Sequence, residues 1–192
     1  MFIRAELSPA DGDIFSDIDG WKLEVDQDIT PEWFDEKDCA ERMRKAVKEW
    51  ANTHIFIGQN DLKISHGENI FIKDCKNVDI RGNATVENIC GSSTIKYIYG
   101  NATVKNICGN ATVKYIYCDA TVENICDNAT VKNIYGKATV ENIYGNATVI
   151  SSPYTKWSNS ASLIISDNAT FKDCYSKTIY QAGGWKLEEI KK

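Results

Sequence analysis

The sequence predicts a mainly β protein: a four-sided parallel β-solenoid with about 18 residues per coil, behind an N-terminal cap that contains an α-helix. Three observations predict it. From Gly82 to Val149 a nine-residue word recurs without insertion, as GNATVENIC, GSSTIKYIY, GNATVKNIC, GNATVKYIY, CDATVENIC, DNATVKNIY, GKATVENIY and GNATV. Alternate words end alike: Cys90, Cys108 and Cys126 interleave with Tyr99, Tyr117 and Tyr135, so the most faithful period is eighteen. Within a word the aliphatic positions stand two and then three apart, as Ala84, Val86 and Ile89 do. Two words per turn, each column stacked on its like, satisfy all three.

Residues 1–57 form the acidic α/β cap. Thr30, Pro31 and Glu32 read as a helix start, with acids crowding the first turns and Arg42, Arg44, Lys45 and Lys48 later, complementary to the helix dipole. Trp33, Ala40, Met43, Val47 and Trp50 make an apolar stripe, and the helix should end near Asn52, before a strand at Ile55–Ile57. The stripe is expected to cover the open end of the tube, where bare strand edges would recruit other chains.

The solenoid is expected over 58–180, with regular words at 82–149. Upstream, Asn69–Cys75 and Asn77–Ile80 alternate like degenerate coil strands. In each regular word, Val86 and Ile89 can both face inward only if the chain turns near Glu87 and Asn88; a second corner falls at the Gly-Asn pairs, where a positive φ costs little. Two corners per word and two words per coil make four sides. A lone coil buries too little to fold, so stacking and caps are required. The segment 150–160, with Tyr154 and Trp157, abandons the pattern and reads as a bulging loop able to bind a partner. Asp167–Tyr175 is a late word, with Phe171 and Cys174 in the Val and Ile columns; 181–192 is a C-terminal strand or tail. Gly20-Trp21-Lys22-Leu23-Glu24 returns as Gly184-Trp185-Lys186-Leu187-Glu188, two similar strands that either pack as related edges or meet across a homodimer contact.

Inward small and large residues two apart, on a four-sided coil, resemble the pentapeptide-repeat family over about 82–149, although the word here has nine residues. The NATV repeat behind a short acidic domain is also similar to nonapeptide (NATVxNIY) repeat proteins of gut anaerobes and their phages. The calcium-binding nonapeptide family shares the period, but its Gly-Gly-x-Gly-x-Asp loop is missing here, so no calcium is implied.

Composition excludes more than it assigns. Hydrophobic residues make up 43% of the 192, yet no apolar run approaches the roughly 20 residues a bilayer helix needs. The start, Met1-Phe2-Ile3-Arg4-Ala5-Glu6, lacks the basic-then-apolar profile of a signal peptide, so a cytoplasmic location without membrane contact is expected. Residues 1–41 hold thirteen acids against three bases, part of an overall charge of −5, which opposes direct nucleic-acid binding through that surface and suits docking on a basic partner. Seven cysteines (39, 75, 90, 108, 118, 126 and 174) without a CxxC read as reduced thiols; the column 90/108/126 sets sulfurs in a row, the wrong geometry for tetrahedral zinc. His54 and His66 take structural roles, and no acid–base pair converges, so no catalytic residue, cofactor or metal is expected.

The outward variable position runs Glu87, Lys105, Glu123 and Glu141 along one side of the solenoid and Lys96, Lys114 and Lys132 along the other. The basic stripe is interleaved with Tyr97, Tyr99, Tyr115 and Tyr117. With the acidic head (Asp11, Asp13, Asp17, Asp19) and the loop residues Tyr154 and Trp157, these are the candidate partner-binding residues. The reading is therefore a non-catalytic protein-binding solenoid. Pentapeptide-repeat proteins include inhibitors that present an acidic, nucleic-acid-like surface, and this resemblance implies a mobile-element inhibitor of a nucleic-acid-handling host defence enzyme, of anti-restriction or anti-CRISPR type. The alternatives are a self-assembling solenoid of bactofilin type and a small carbohydrate-active β-helix enzyme.

Overall fold

The computed structural model describes residues 3–152, 164–174 and 177–181, together with the backbone of 188–189. By internal contacts the chain falls into two compact units, residues 1–55 and 56–192.

In the first unit, β1 (Ala5–Ser8) pairs antiparallel with β2 (Lys22–Val25), and α1 (Glu36–His54) is its one α-helix among the described residues. The helix does not begin at Thr30. Pro31–Phe34 forms a separate turn, closed by the Phe34 amide on the Pro31 carbonyl, and the side chain of Asp35 accepts the Lys37 and Asp38 amides as the true N-cap. Trp33 therefore lies ahead of the helix at 65% exposure instead of within its apolar stripe. Ala40 is buried and Met43, Val47 and Trp50 are half-buried. The far end runs on to His54, whose ring stacks on Trp50 at 4.7 Å and whose Nδ1 lies 2.8 Å from the Trp50 carbonyl. The first Gly-Trp-Lys-Leu-Glu copy supplies β2 and a buried Trp21, whose carbonyl accepts from Arg44; of the second copy only the backbone of Glu188 is described.

The second unit is a parallel β-solenoid built as two sheets, one word contributing to each in turn. A nine-stranded sheet carries Lys63–Ile64, Lys76–Ile80, Thr94–Ile98, Thr112–Ile116, Thr130–Val131, Thr148–Ile150 and Thr170–Asp173, followed by Thr178–Gln181 and Glu188–Glu189. A seven-stranded sheet carries Ile55–Ile57, Ile70–Lys73, Thr85–Cys90, Thr103–Ile107, Thr121–Ile125, Thr139–Ile143 and Ile164–Ile165. The first will be called the tyrosine sheet and the second the cysteine sheet. Register is set by identity: Thr85 faces Thr103, Val86 faces Val104, Asn88 faces Asn106 and Ile89 faces Ile107.

That ladder steps over Glu87 and Lys105, at the place where the three-residue spacing of Val and Ile demands a bend. Val86 and Ile89 are both out of water, as are their counterparts along the rod and the alanines at the coil corners, such as Ala84, Ala102 and Ala120. The corner near Glu87 and Asn88 is thus a bend within a strand, not a break between strands. Asn88 begins a column in which Asn106 donates to the Glu87 carbonyl and the later asparagines also bond one another. The Asn124 side-chain amide donates to the Lys105 carbonyl and to Asn106 Oδ1, and Asn142 does the same one coil later. A second asparagine ladder climbs the turns, Asn128 to Asn110, Asn146 to Asn128 and Asn168 to Asn146, at 3.2–3.3 Å.

The lap length is eighteen only in the middle. Ile70 faces Val86 across a bulge, so the first coils are shorter, whereas Thr148 faces Thr170 and the last coil is longer. The extra residues fall in 153–163, outside the described residues together with the predicted Tyr154 and Trp157. Phe171 takes the Val column opposite Val149, as expected. Cys174 does not fill the Ile column; it sits half-buried in a turn with its amide on Ser151 Oγ. Beyond it, Thr178–Gln181 doubles back antiparallel on Thr170–Asp173, reversing the direction in which the earlier strands of that sheet run.

Turn glycines differ in what they must avoid. A Cβ on Gly145 (φ 67°) would lie 2.8 Å from the amide nitrogen of Asp127 on the coil below, while one on Gly136 (φ 62°) would meet nothing within 4 Å. Gly136→Ala should therefore cost only the left-handed backbone penalty of about 1–2 kcal/mol. Gly145→Ala should cost that and about 1 kcal/mol or more of overpacking besides. Thermal melts of the two variants check the order, and equal melting temperatures would contradict the close approach.

Candidate functional site

The tyrosine sheet owes its name to five rings brought together by eighteen-residue register. Tyr97 faces Tyr115 in the ladder and their rings stack at 5.6 Å; Tyr99 and Tyr117 stack at 5.1 Å with planes 4° apart. The two columns interlock edge to face, Tyr97 with Tyr99 at 6.3 Å and with Tyr117 at 6.0 Å. Tyr135 extends the group, its ring 6.1 Å from that of Tyr115. Such pairs contribute about 0.5–1.5 kcal/mol each beyond buried area, so the plate is rigid before anything binds. Burial, then the neighbouring Tyr99, raises the Tyr117 phenol above its usual range.

Cations border the plate. Lys96 Nζ lies 5.1 Å from the centre of the Tyr97 ring, and Lys114 and Lys132 stand exposed one and two coils on. Arg81, which sequence reasoning passed over, donates to Tyr99 Oη at 3.4 Å. It stands eighteen residues before Tyr99, so the repeat arithmetic would have found it had the count been carried below Gly82. Thus the structure gathers Lys96, Tyr97, Tyr99, Lys114, Tyr115, Tyr117 and Lys132 on one sheet face.

On the cysteine sheet the variable column is partly self-neutralised: Lys105 Nζ bridges Glu87 at 2.9 Å, and that carboxylate raises the lysine pKa. Alongside runs the row Cys90, Cys108 and Cys126, none of them in a disulfide. Cys90 and Cys108 donate to the Ile72 and Ile89 carbonyls one coil below. Ligand atoms of Cys108, Cys126 and Asp127 lie within 4.8 Å of one another. Burial, reinforced by Cys126, Cys90 and Asp127, pushes the Cys108 thiol up to about 12.

The acidic head is a set of turn-formers. Asp11 accepts the Asp13 amide, Asp13 the Phe15 amide and Asp17 the Asp19 amide, and Asp19 pairs with Lys48. Asp11, Asp17 and Asp19 stay exposed while Asp13 is half-buried. His66 contacts Ser65 Oγ at 3.0 Å. No helix among the described residues is long and apolar enough to cross a membrane. No protein-family model matches the chain, and no curated protein or solved structure matches it either.

Two outcomes follow for the thiols. A folded thiol that titrates above its ordinary value near 9 contributes stability that is full below that pH and is lost as pH climbs toward about 12. Between pH 9 and 12 the wild-type melting temperature should therefore fall more steeply than that of Cys108→Ser. At pH 8, exposed Cys118 should be alkylated by iodoacetamide at least about tenfold faster than Cys108, read by peptide mass spectrometry.

Proposed function

We propose that this chain is a non-catalytic protein-binding solenoid that engages its partner through the tyrosine sheet. The supporting observation is the preassembled plate of Tyr97, Tyr99, Tyr115, Tyr117 and Tyr135 bordered by Arg81 and Lys96. Tyrosine and arginine are the residues on which interface energy concentrates, because a large amphipathic ring loses little conformational freedom on binding. Here the rings are already held by one another, so a partner pays little ordering entropy. With Lys96, Lys114, Lys132 and Arg81 at its margin, the face suits an acidic partner surface.

A finer reading makes the chain a mobile-element inhibitor of a nucleic-acid-handling defence enzyme, met by the acidic N-terminal unit. Its support is the excess of acids over bases in residues 1–41 and the exposure of Asp11, Asp17 and Asp19. Self-assembly of bactofilin type is disfavoured by the antiparallel strand Thr178–Gln181, because a second rod stacking onto that sheet would not meet the parallel edge it needs.

The test is comparative capture. The chain is immobilised and exposed to lysate of its host, with a photo-crosslinking residue at position 99 or, as control, at 141. Crosslinks from 99 alone, together with at least a tenfold loss of capture in Tyr97→Ala/Tyr117→Ala, support the tyrosine face. The quadruple change of Asp11, Asp13, Asp17 and Asp19 to Asn preserves the turn acceptors while removing charge. Loss of capture in that variant alone moves the site to the acidic unit. Filaments seen by light scattering would favour assembly instead.

A further inference from the structure

The thiol row of the cysteine sheet has no part in the partner reading, and its geometry points elsewhere. We infer that Cys108 and Cys126, with the Asp127 carboxylate beside them, form a binding site for one thiophilic low-coordinate cation, of which Cu(I) is the best match. The donor atoms are already gathered within 4.8 Å, with no rearrangement of the chain required. What brings them together is the fold's own repeat: Cys108 and Cys126 hold equivalent places in adjoining laps, so their sulfurs stack one ladder step apart. A β-ladder step is roughly 4.8 Å. Two metal–sulfur bonds of about 2.3 Å span nearly the same distance. A cation seated between the two sulfurs therefore bridges the coils without straining either strand.

The third donor is held in place independently. Asp127 occupies a left-handed turn position (φ 56°) that glycine fills in most other coils, and its carboxylate accepts the Gly109 amide at 2.9 Å from the coil below. This bond aims the acid back along the column toward the sulfurs. On the other side, the coil above supplies Tyr144 at the position where the cysteine column ends, in hydrogen-bonding contact with Cys126. Cys126 itself is 8% exposed, so the site is shielded from water on its deeper side, while Asp127 stands exposed at its mouth.

The donor set selects the ion. Soft thiolates favour Cu(I), zinc and iron–sulfur clusters over magnesium or calcium. Structural zinc takes four nitrogen or sulfur ligands in a tetrahedron. Here two sulfurs and one oxygen converge, and the third thiol, Cys90, continues the row and does not close a tetrahedron. That arrangement suits an ion content with two or three ligands. Binding is an exchange: two S–H bonds give way to two metal–sulfur bonds, and two protons pass to solvent with no change of oxidation state.

The experiment uses the full chain, reduced and anaerobic, titrated with Cu(I) against the chromogenic chelator bicinchoninate. The expected result is one Cu(I) withdrawn per chain, a sulfur-to-copper absorption band in the ultraviolet, and a higher melting temperature with the ion than without it. Cys108→Ser and Cys126→Ser should each weaken retention at least a hundredfold and Asp127→Asn about tenfold, while Cys118→Ser and Cys39→Ser leave it unchanged. If serine disturbs the fold, as far-UV circular dichroism would show, alanine at the same positions takes its place. Failure of the wild-type chain to hold Cu(I) against the chelator overturns the inference without any variant. So does retention by the Cys108→Ser/Cys126→Ser chain, or retention of Zn(II) in preference to Cu(I). None of these readouts depends on a protein partner, so the site can fail while the partner reading stands, and the reverse.

Discussion

The solenoid rests on like residues stacking upon like, at a lap of eighteen through its middle. Parallel ladder bonds fix the step between coils, and once the step is fixed the inward positions and several outward columns meet copies of themselves. Valine on valine and isoleucine on isoleucine fill a narrow interior at constant width. Asparagine on asparagine lets an amide donate to the coil below and accept from the coil above, so polar groups beside the bend are satisfied within the ladder. Tyrosine on tyrosine gives a plate, and cysteine on cysteine a row of sulfurs. Chemistry that would be scattered in an ordinary globular domain is concentrated here into columns, and each column inherits the rigidity of the ladder beneath it.

The same constraint explains where the regularity gives way. Left-handed turns sit directly above one another, and a Cβ on Gly109 would come within 3.0 Å of the Gly91 backbone. Asp127 and Asp167 depart from glycine at such turns, and each lends a carboxylate oxygen to the glycine amide one coil below. The backbone cost of the non-glycine residue is thereby offset by a charge-assisted bond between coils. Aspartate in the turn column is a device for tying laps together, and at Asp127 it also delivers an acid to the edge of the thiol row.

Much of this was legible in the residues before any coordinates. Alternation of Cys90, Cys108 and Cys126 with Tyr99, Tyr117 and Tyr135 reports the lap length, and Val86 with Ile89 reports the bend, because packing inside a repeat has few solutions. The columns of lysine and tyrosine followed by counting. What escaped counting was local or aperiodic. The helix start turned on which acceptor, Thr30 or Asp35, reaches the first free amides, and both residues are plausible caps by type. The roles of Asp11, Asp13 and Asp17 as turn-formers depend on bonds two residues away that a charge census does not register. Asp127 near Cys108 was missed because it breaks the word's glycine, and a deviation from a consensus reads first as noise.

Since consecutive words serve opposite sheets, the parity of the word count carries meaning. Loss or duplication of an eighteen-residue block leaves each downstream column on its own face and merely shortens or lengthens the rod. Loss of nine residues would transpose everything that follows, setting tyrosines over cysteines and asparagines over tyrosine edges. Heritable length changes in such a gene should accordingly survive in even steps, and a designer grafting new surfaces onto this scaffold would have to edit it two words at a time.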